Sequence, residues 1–327
     1  MRYFRILIRV VKAFPLFFRM RKEFNCSVAL WMCYVYVLPS QKGERYFNAV
    51  SAYFSKELSK QISAYRELSN GEQDDKNQSP ERKTPVWTCW LTGSNTMPEI
   101  VKLCYHRLQR MIPDDIAEQK LITENNYREY VEIPNYIAEK YAQHIISPAH
   151  FSDIIRFCLL SKYGGMWLDS TVYTSAKIPN EYIQAFYYTQ KVQNKNEFHH
   201  EPSKAQWCGF IWACKAGNPL FAFIRDALFQ YWKEHNTVID YIFFDYIIIS
   251  AYQGLPEVKR MIDEQEPNNE KIWDLWQMIN SPFDDNTYKS LCESNIFHKL
   301  SYKADVRKTN EYNIETYYGH IFNEVFH

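Results

Sequence analysis

Glycine is scarce in this chain, with nine residues in 327. Against that background a Gly-Gly pair is not compositional noise, and Gly164-Gly165 asks for a backbone reason. A charge surplus is also missing, because 38 Lys and Arg balance 38 Asp and Glu. That neutrality removes any global electrostatic argument for nucleic acid, which is not expected among the partners. The eight cysteines form no Cys-x-x-Cys pair, and no histidine cluster joins them at zinc spacing. Most sit in apolar runs such as Arg156-Phe157-Cys158-Leu159-Leu160, as buried free thiols of a reducing, cytoplasmic setting do. The apolar run at residues 28–38 is far too short to span a bilayer.

What the chain does have is a globular profile, with 46% hydrophobic and 23% charged residues, and an aromatic share of 17% carried by 25 Tyr and 21 Phe. Its first 22 residues hold seven basic side chains and no acidic one. Arg2, Arg5, Arg9 and Lys12 would form one stripe on a helix, with bulky apolar residues between them. Charge interrupts the apolar stretch and no small-residue cleavage site follows, which excludes a signal peptide. Two readings stay open for residues 1–22: contact with the inner face of an anionic membrane, or an amphipathic helix packed on the protein.

Residues 1–68 read as a helical N-terminal region, with Phe47, Val50, Tyr53, Phe54, Leu58 and Ile62 at helical spacing. Residues 69–84 read as a linker, and 85–327 as one domain of alternating strands and helices. Strands are expected at 86–91, 120–123, 166–168, 186–190 and 209–213. Helices are expected after Met97-Pro98 and at 135–146, 147–162, 219–234, 240–253 and 271–279. This alternation predicts an α/β fold with a largely parallel sheet, whose ligands bind at the carboxyl ends of the strands. Gly164-Gly165 ends a helix, and Met166-Trp167-Leu168 then delivers Asp169 to such an end.

Asp153 and Arg156, three apart, share a helix face before that turn. By spacing alone a surface ion pair accounts for them better than a binding site does. Their order distinguishes them: Asp-x-x-Arg, then the glycine turn, then an aromatic-x-Asp. Asp240 and Asp245 flank the apolar run Tyr241-Ile242-Phe243-Phe244, and Asp245, inside an apolar helix, is a carboxylate that needs a partner or a task, with an acceptor-side role expected for it.

The stretches Val86-Trp87-Thr88-Cys89-Trp90, Met97-Pro98-Glu99-Ile100-Val101, Ile133-Pro134, Pro148-Ala149-His150-Phe151-Ser152-Asp153-Ile154-Ile155-Arg156 and Tyr163-Gly164-Gly165-Met166-Trp167-Leu168-Asp169-Ser170-Thr171 resemble the bacterial capsular polysaccharide synthesis protein family. That family is related to the family thirty-two glycosyltransferases and, more remotely, to the clostridial glucosylating toxins. The resemblance is strong from about residue 85 to 179 and continues weakly through Trp207, Asn218-Pro219 and Asp240-Tyr241. It implies a GT-A, Rossmann-like nucleotide-sugar-binding domain. The implied activity moves a sugar, with retention, from a nucleotide-sugar donor to a capsular, exopolysaccharide or lipopolysaccharide glycan or a lipid-linked oligosaccharide. By the same analogy Trp90 lies against the base, Asp153 and Arg156 bind sugar or ribose, Gly164 and Gly165 belong to the donor site, and Trp167 packs under the donor. Asp169 becomes the first acid of an Asp-x-Asp motif that holds manganese or magnesium.

The second acid of that motif is absent, for the triplet reads Asp169-Ser170-Thr171. A hydroxyl is a poorer ligand than a carboxylate for a hard dication. Either Asp169 holds the ion with help from elsewhere, such as His298, or cationic side chains do the metal's work. A non-catalytic sugar-nucleotide or glycan-binding protein is the alternative that this replacement suggests. In Phe297-His298-Lys299-Leu300-Ser301-Tyr302-Lys303, alternation sets His298 and Lys299 on opposite strand faces. His298 is a candidate for catalysis or metal, although a satisfied core histidine fits as well. Lys303 is a candidate for the leaving diphosphate, while a solvated face accounts for both Lys299 and Lys303.

Overall fold

A computed structural model describes residues 2–69, 83–192 and 201–327. The N-terminal helices are α1 (Arg2–Glu23), α2 (Cys26–Val37), α3 (Glu44–Glu57) and α4 (Ser59–Ser69). The α/β part follows with β1 (Thr84–Cys89), α5 (Glu99–Met111), β2 (Ala117–Ile122), α6 (Tyr127–Tyr130), α7 (Asn135–Ala142), α8 (Pro148–Tyr163), β3 (Gly165–Leu168) and β4 (Val172–Thr174). Then come α9 (Asn180–Ile183), β5 (Tyr187–Thr189), β6 (Ile211–Cys214), α10 (Pro219–Glu234), α11 (Phe243–Gly254) and α12 (Pro256–Glu264). The chain closes with α13 (Asp274–Gln277), α14 (Asp285–Ser294), β7 (Phe297–Lys299) and α15 (Tyr317–Phe326). Most of the expected linker, residues 70–82, lies outside the described residues.

The main sheet has the order β2-β1-β3-β6-β5. It is less parallel than the alternation suggested. β1 pairs in parallel with β2 and β3, whereas β6 runs antiparallel to both β3 and β5. Residues 193–200 of the connection between β5 and β6 lie outside the described residues, and its described part holds no helix. A second, two-stranded sheet pairs β4 with β7, setting Val172 opposite Lys299 and Tyr173 opposite His298.

Helix α8 is the element that positions the site. Ser147 caps its start, accepting from His150 N at 3.3 Å. Pro148 occupies the first turn, where a missing N–H leaves no bond unmade. The helix is buried almost all round, so it runs through the core rather than over it. Gly164 ends it at φ 65° and Gly165 follows at φ 86°. A Cβ on Gly164 would lie 2.5 Å from Ala216 N, and one on Gly165 would collide with the Pro85 carbonyl. The Gly-Gly pair therefore has two backbone reasons: a positive φ at each residue, and close approach to neighbouring chain.

The N-terminal helices α3 and α4 are built into the same core as α8, α10 and α11. Phe54 stacks on Tyr246 with ring centroids 5.9 Å apart, and Lys42 pairs with the buried Asp240 at 2.8 Å. Asp240 also accepts from Tyr246 Oη at 2.9 Å, so it fastens α11 to the N-terminal region.

Candidate active site

A cleft of about 760 Å³ opens where β1 and β3 end and β6 begins, with the segment after β7 along one side. This is the volume range of small-molecule sites. Its walls are rich in aromatic side chains, among them Trp90, Trp167, Trp207, Phe210, Tyr241, Trp273, Trp276 and Tyr302. Charge is concentrated at its floor.

Asp169, directly after β3, is the hub of that floor. Its Oδ1 accepts from Trp167 Nε1 at 2.9 Å and from Arg156 Nη2 at 3.3 Å. Its Oδ2 accepts from Lys299 Nζ at 3.1 Å. Burial opposes the charge on Asp169, but Lys299 and then Arg156 outweigh it and hold the carboxyl below its ordinary pKa. Arg156 Nη2 also donates to Asp153 Oδ1 at 2.8 Å, and Nη1 donates to the Gly209 carbonyl. The guanidinium lies 4.9 Å from the Trp167 ring, a cation–π distance. Its Nε is buried with no protein partner. Burial pushes the Asp153 carboxyl up in spite of Arg156 beside it. Lys299 Nζ makes a second bond of 2.7 Å to Thr171 Oγ1, so the third residue of the Asp-Ser-Thr triplet engages a cation.

Asp245, near the start of α11, lines the same cleft and accepts from Trp207 Nε1 at 2.8 Å. Burial pushes its carboxyl up to about 7, against the opposing effect of the Trp207 bond. A carboxyl poised there exchanges its proton near neutrality, as general acid–base work requires.

The structure thus brings together Asp153, Arg156, Trp167, Asp169, Thr171 and Asp245. Trp90 and Lys303 lie on the cleft wall, and Trp90 meets Tyr302 edge-to-face at 5.5 Å. Three of the expected residues fall elsewhere. Gly164 and Gly165 sit at the opposite end of β3 from Asp169, with Gly165 beside a separate cavity of about 230 Å³, so they shape the turn and do not line the cleft. His298 is wholly buried, within bonding distance of Ser175 Oγ at 3.2 Å, and burial lowers its pKa to about 4. The β4–β7 pairing turns its neighbour Lys299 into the cleft instead. Lys299 had the signal of alternation in its favour, but alternation names two faces without saying which one meets the site.

The donor set fits a divalent cation poorly. Among the described residues no group of three or more His, Cys, Asp or Glu side chains converges as metal ligands. A carboxylate offers about four acceptor positions, and three of those on Asp169 receive N–H donors from Trp167, Arg156 and Lys299. A dication would share that carboxylate with two cationic side chains, and the nearest triplet hydroxyl already accepts from one of them.

Fold and site together define an α/β protein with a cation–carboxylate cluster in an aromatic cleft at the strand ends. The chain belongs to the capsular polysaccharide synthesis protein family, whose sequence pattern matches residues 35–321. No curated protein matches it. Among solved structures it is similar to the PaToxG glycosyltransferase, at 13% identity and a TM-score of 0.35, over 77% of this chain and 99% of that one.

Proposed function

We propose that this protein is a glycosyltransferase of GT-A type. It would take a nucleotide-sugar donor into the cleft and transfer the sugar, with retention, to a growing capsular, exopolysaccharide or lipopolysaccharide glycan or a lipid-linked oligosaccharide at the inner face of the cell membrane. The observation that carries this reading is the Asp169 hub, a charged carboxylate steered by Arg156 and Lys299 at a strand end inside an aromatic cleft. The aromatic walls suit a nucleoside base, and the floor suits a polyhydroxylated, anionic ligand. When the bond between the anomeric carbon and the diphosphate breaks, its electron pair goes to the departing phosphate oxygen. In this reading Lys299 and Arg156 stabilise that charge without a metal ion. Asp245 is assigned to the acceptor side, where a carboxyl titrating near neutrality can trade a proton with a hydroxyl.

A donor that binds the folded state raises the melting temperature with its affinity. Screening UDP-, GDP- and CMP-sugars with and without manganese is expected to give a shift with one nucleotide class that manganese does not enlarge. A folded protein that responds to no donor would end the proposal. The replacement of the second acid by Thr171 favours a second reading, a sugar-nucleotide-binding protein without turnover. Slow donor hydrolysis separates the two, because a binding protein gives a thermal shift and releases no nucleotide.

A further inference from the structure

Helix α1 has three faces. Ile6, Ala13, Phe17 and Met20 turn inward, and Cys33 of α2 donates to the Ala13 carbonyl. Arg5, Arg9, Lys12 and Arg19 form a second, exposed face. The third carries Phe4, Leu7, Val11, Phe14 and Phe18, exposed by 67%, 62%, 67%, 71% and 52%. Their spacing of three and four lines them up over roughly 21 Å of helix, and Tyr3, Ile8 and Val10 widen the stripe on both sides. Of the eighteen large hydrophobic side chains exposed among the described residues, eleven belong to α1 and α2, so this is one patch and not surface scatter.

We propose that this face of α1 docks on an anionic lipid surface. No described helix is long and apolar enough to cross a membrane, and the stripe is shorter than the roughly 30 Å hydrocarbon core, so the helix lies flat. A bare apolar stripe would also suit a second copy of the chain. Charge decides between them. Residues 2–22 contain no acidic side chain, so two α1 helices laid together would set basic arcs against each other with nothing to neutralise them. An anionic headgroup layer supplies that neutralisation beside the apolar stripe. The docking face lies in α1, ahead of the residues 35–321 that match the family pattern.

The patch is tied to the cleft. At the base of α1, Glu23 accepts from Asn236 N at 3.0 Å, and Tyr46 donates to the Ile239 carbonyl at 3.2 Å. The same segment continues to Tyr241 on the cleft wall. Five residues span at most roughly 18 Å, so a membrane that holds α1 holds that wall of the cleft nearby. That this serves a lipid-linked acceptor rests on the glycosyltransferase reading, whereas the docking itself does not.

The test is co-sedimentation of the full chain with phosphatidylcholine vesicles, with and without phosphatidylglycerol. Binding is expected to be at least about tenfold tighter on the anionic vesicles and to weaken in high salt. Leu7→Ser/Val11→Ser/Phe14→Ser should lower it by at least about tenfold. Arg5→Gln/Arg9→Gln/Lys12→Gln should remove the preference for phosphatidylglycerol. Both variants should melt with the wild type and hydrolyse soluble donor at its rate, since none of these residues lines the cleft. Vesicle binding absent in the wild type, or unchanged in both variants, overturns the proposal. So does a wild-type dimer that the apolar variant dissolves while neither binds vesicles. Absent donor hydrolysis would fail the catalytic reading and leave the vesicle result standing.

Discussion

At the scale of single residues, Lys299 is the cation on which the proposed chemistry depends. It bonds both Asp169 and Thr171, and it is assigned the charge of the leaving diphosphate. Lys299→Met should cut turnover by about a hundredfold or more, the cost of losing one preorganised donor to a developing anion. His298→Gln, one residue away but on the other face, should leave turnover close to wild type, and a steady-state assay of the two variants compares them directly. Asp245 carries a second expectation. With its carboxyl near 7, the rate should have a limb close to neutral pH that is absent in Asp245→Asn. At this scale the sequence was legible where chemistry is local: Asp153, Arg156, Trp167 and Asp169 lie within one helix–turn–strand unit whose order can be read directly. Lys299 was not legible, because its neighbour Asp169 lies 130 positions earlier in the chain and only the β4–β7 register brings them together.

Among elements, α8 and the glycine turn after it set the site. Ser147→Ala should lower stability by about 1 kcal/mol through the lost cap. Gly165→Ala should cost more than the roughly 1–3 kcal/mol of a positive φ, because the new Cβ also meets Pro85. Denaturant unfolding would measure both. If Gly165→Ala instead unfolds like wild type and weakens donor binding, the glycine is a donor residue after all. Helix and strand positions were readable from periodicity and caps, as α10 and α8 illustrate. Strand direction was not, since β6 and β5 are buried and short and their residues carry no mark of the strand they pair with.

Over the whole molecule, the N-terminal helices share a core with the α/β part, through α8, α10 and α11. Phe54→Ala, under Tyr246 and Tyr231, should cost about 3–5 kcal/mol and shift a single unfolding transition. A calorimetric trace with one moved and one unmoved transition would divide the core instead. Two buried groups shape stability against pH. His298, lowered to about 4, is uncharged in the fold, so its contribution is intact above its unfolded value near 6.5 and is lost as pH falls through 4. Asp245, raised to about 7, acts in the opposite sense: its contribution is present below about 4 and is lost as pH rises through 7. Asp245→Asn should therefore gain on wild type between those limits, by up to about 4 kcal/mol at 1.36 kcal/mol per unit, measured by urea unfolding across pH.

The role proposed for the Asp169 cluster is to cleave a nucleotide sugar without a metal ion. The most direct measurement is nucleotide release from a panel of sugar nucleotides in the presence of a chelator, by the wild type and by Asp169→Ala. Release from one nucleotide class by the wild type and none by the variant, with the variant still folded, is the expected result. Release that appears only when manganese is added, or equal release by both proteins, would contradict it.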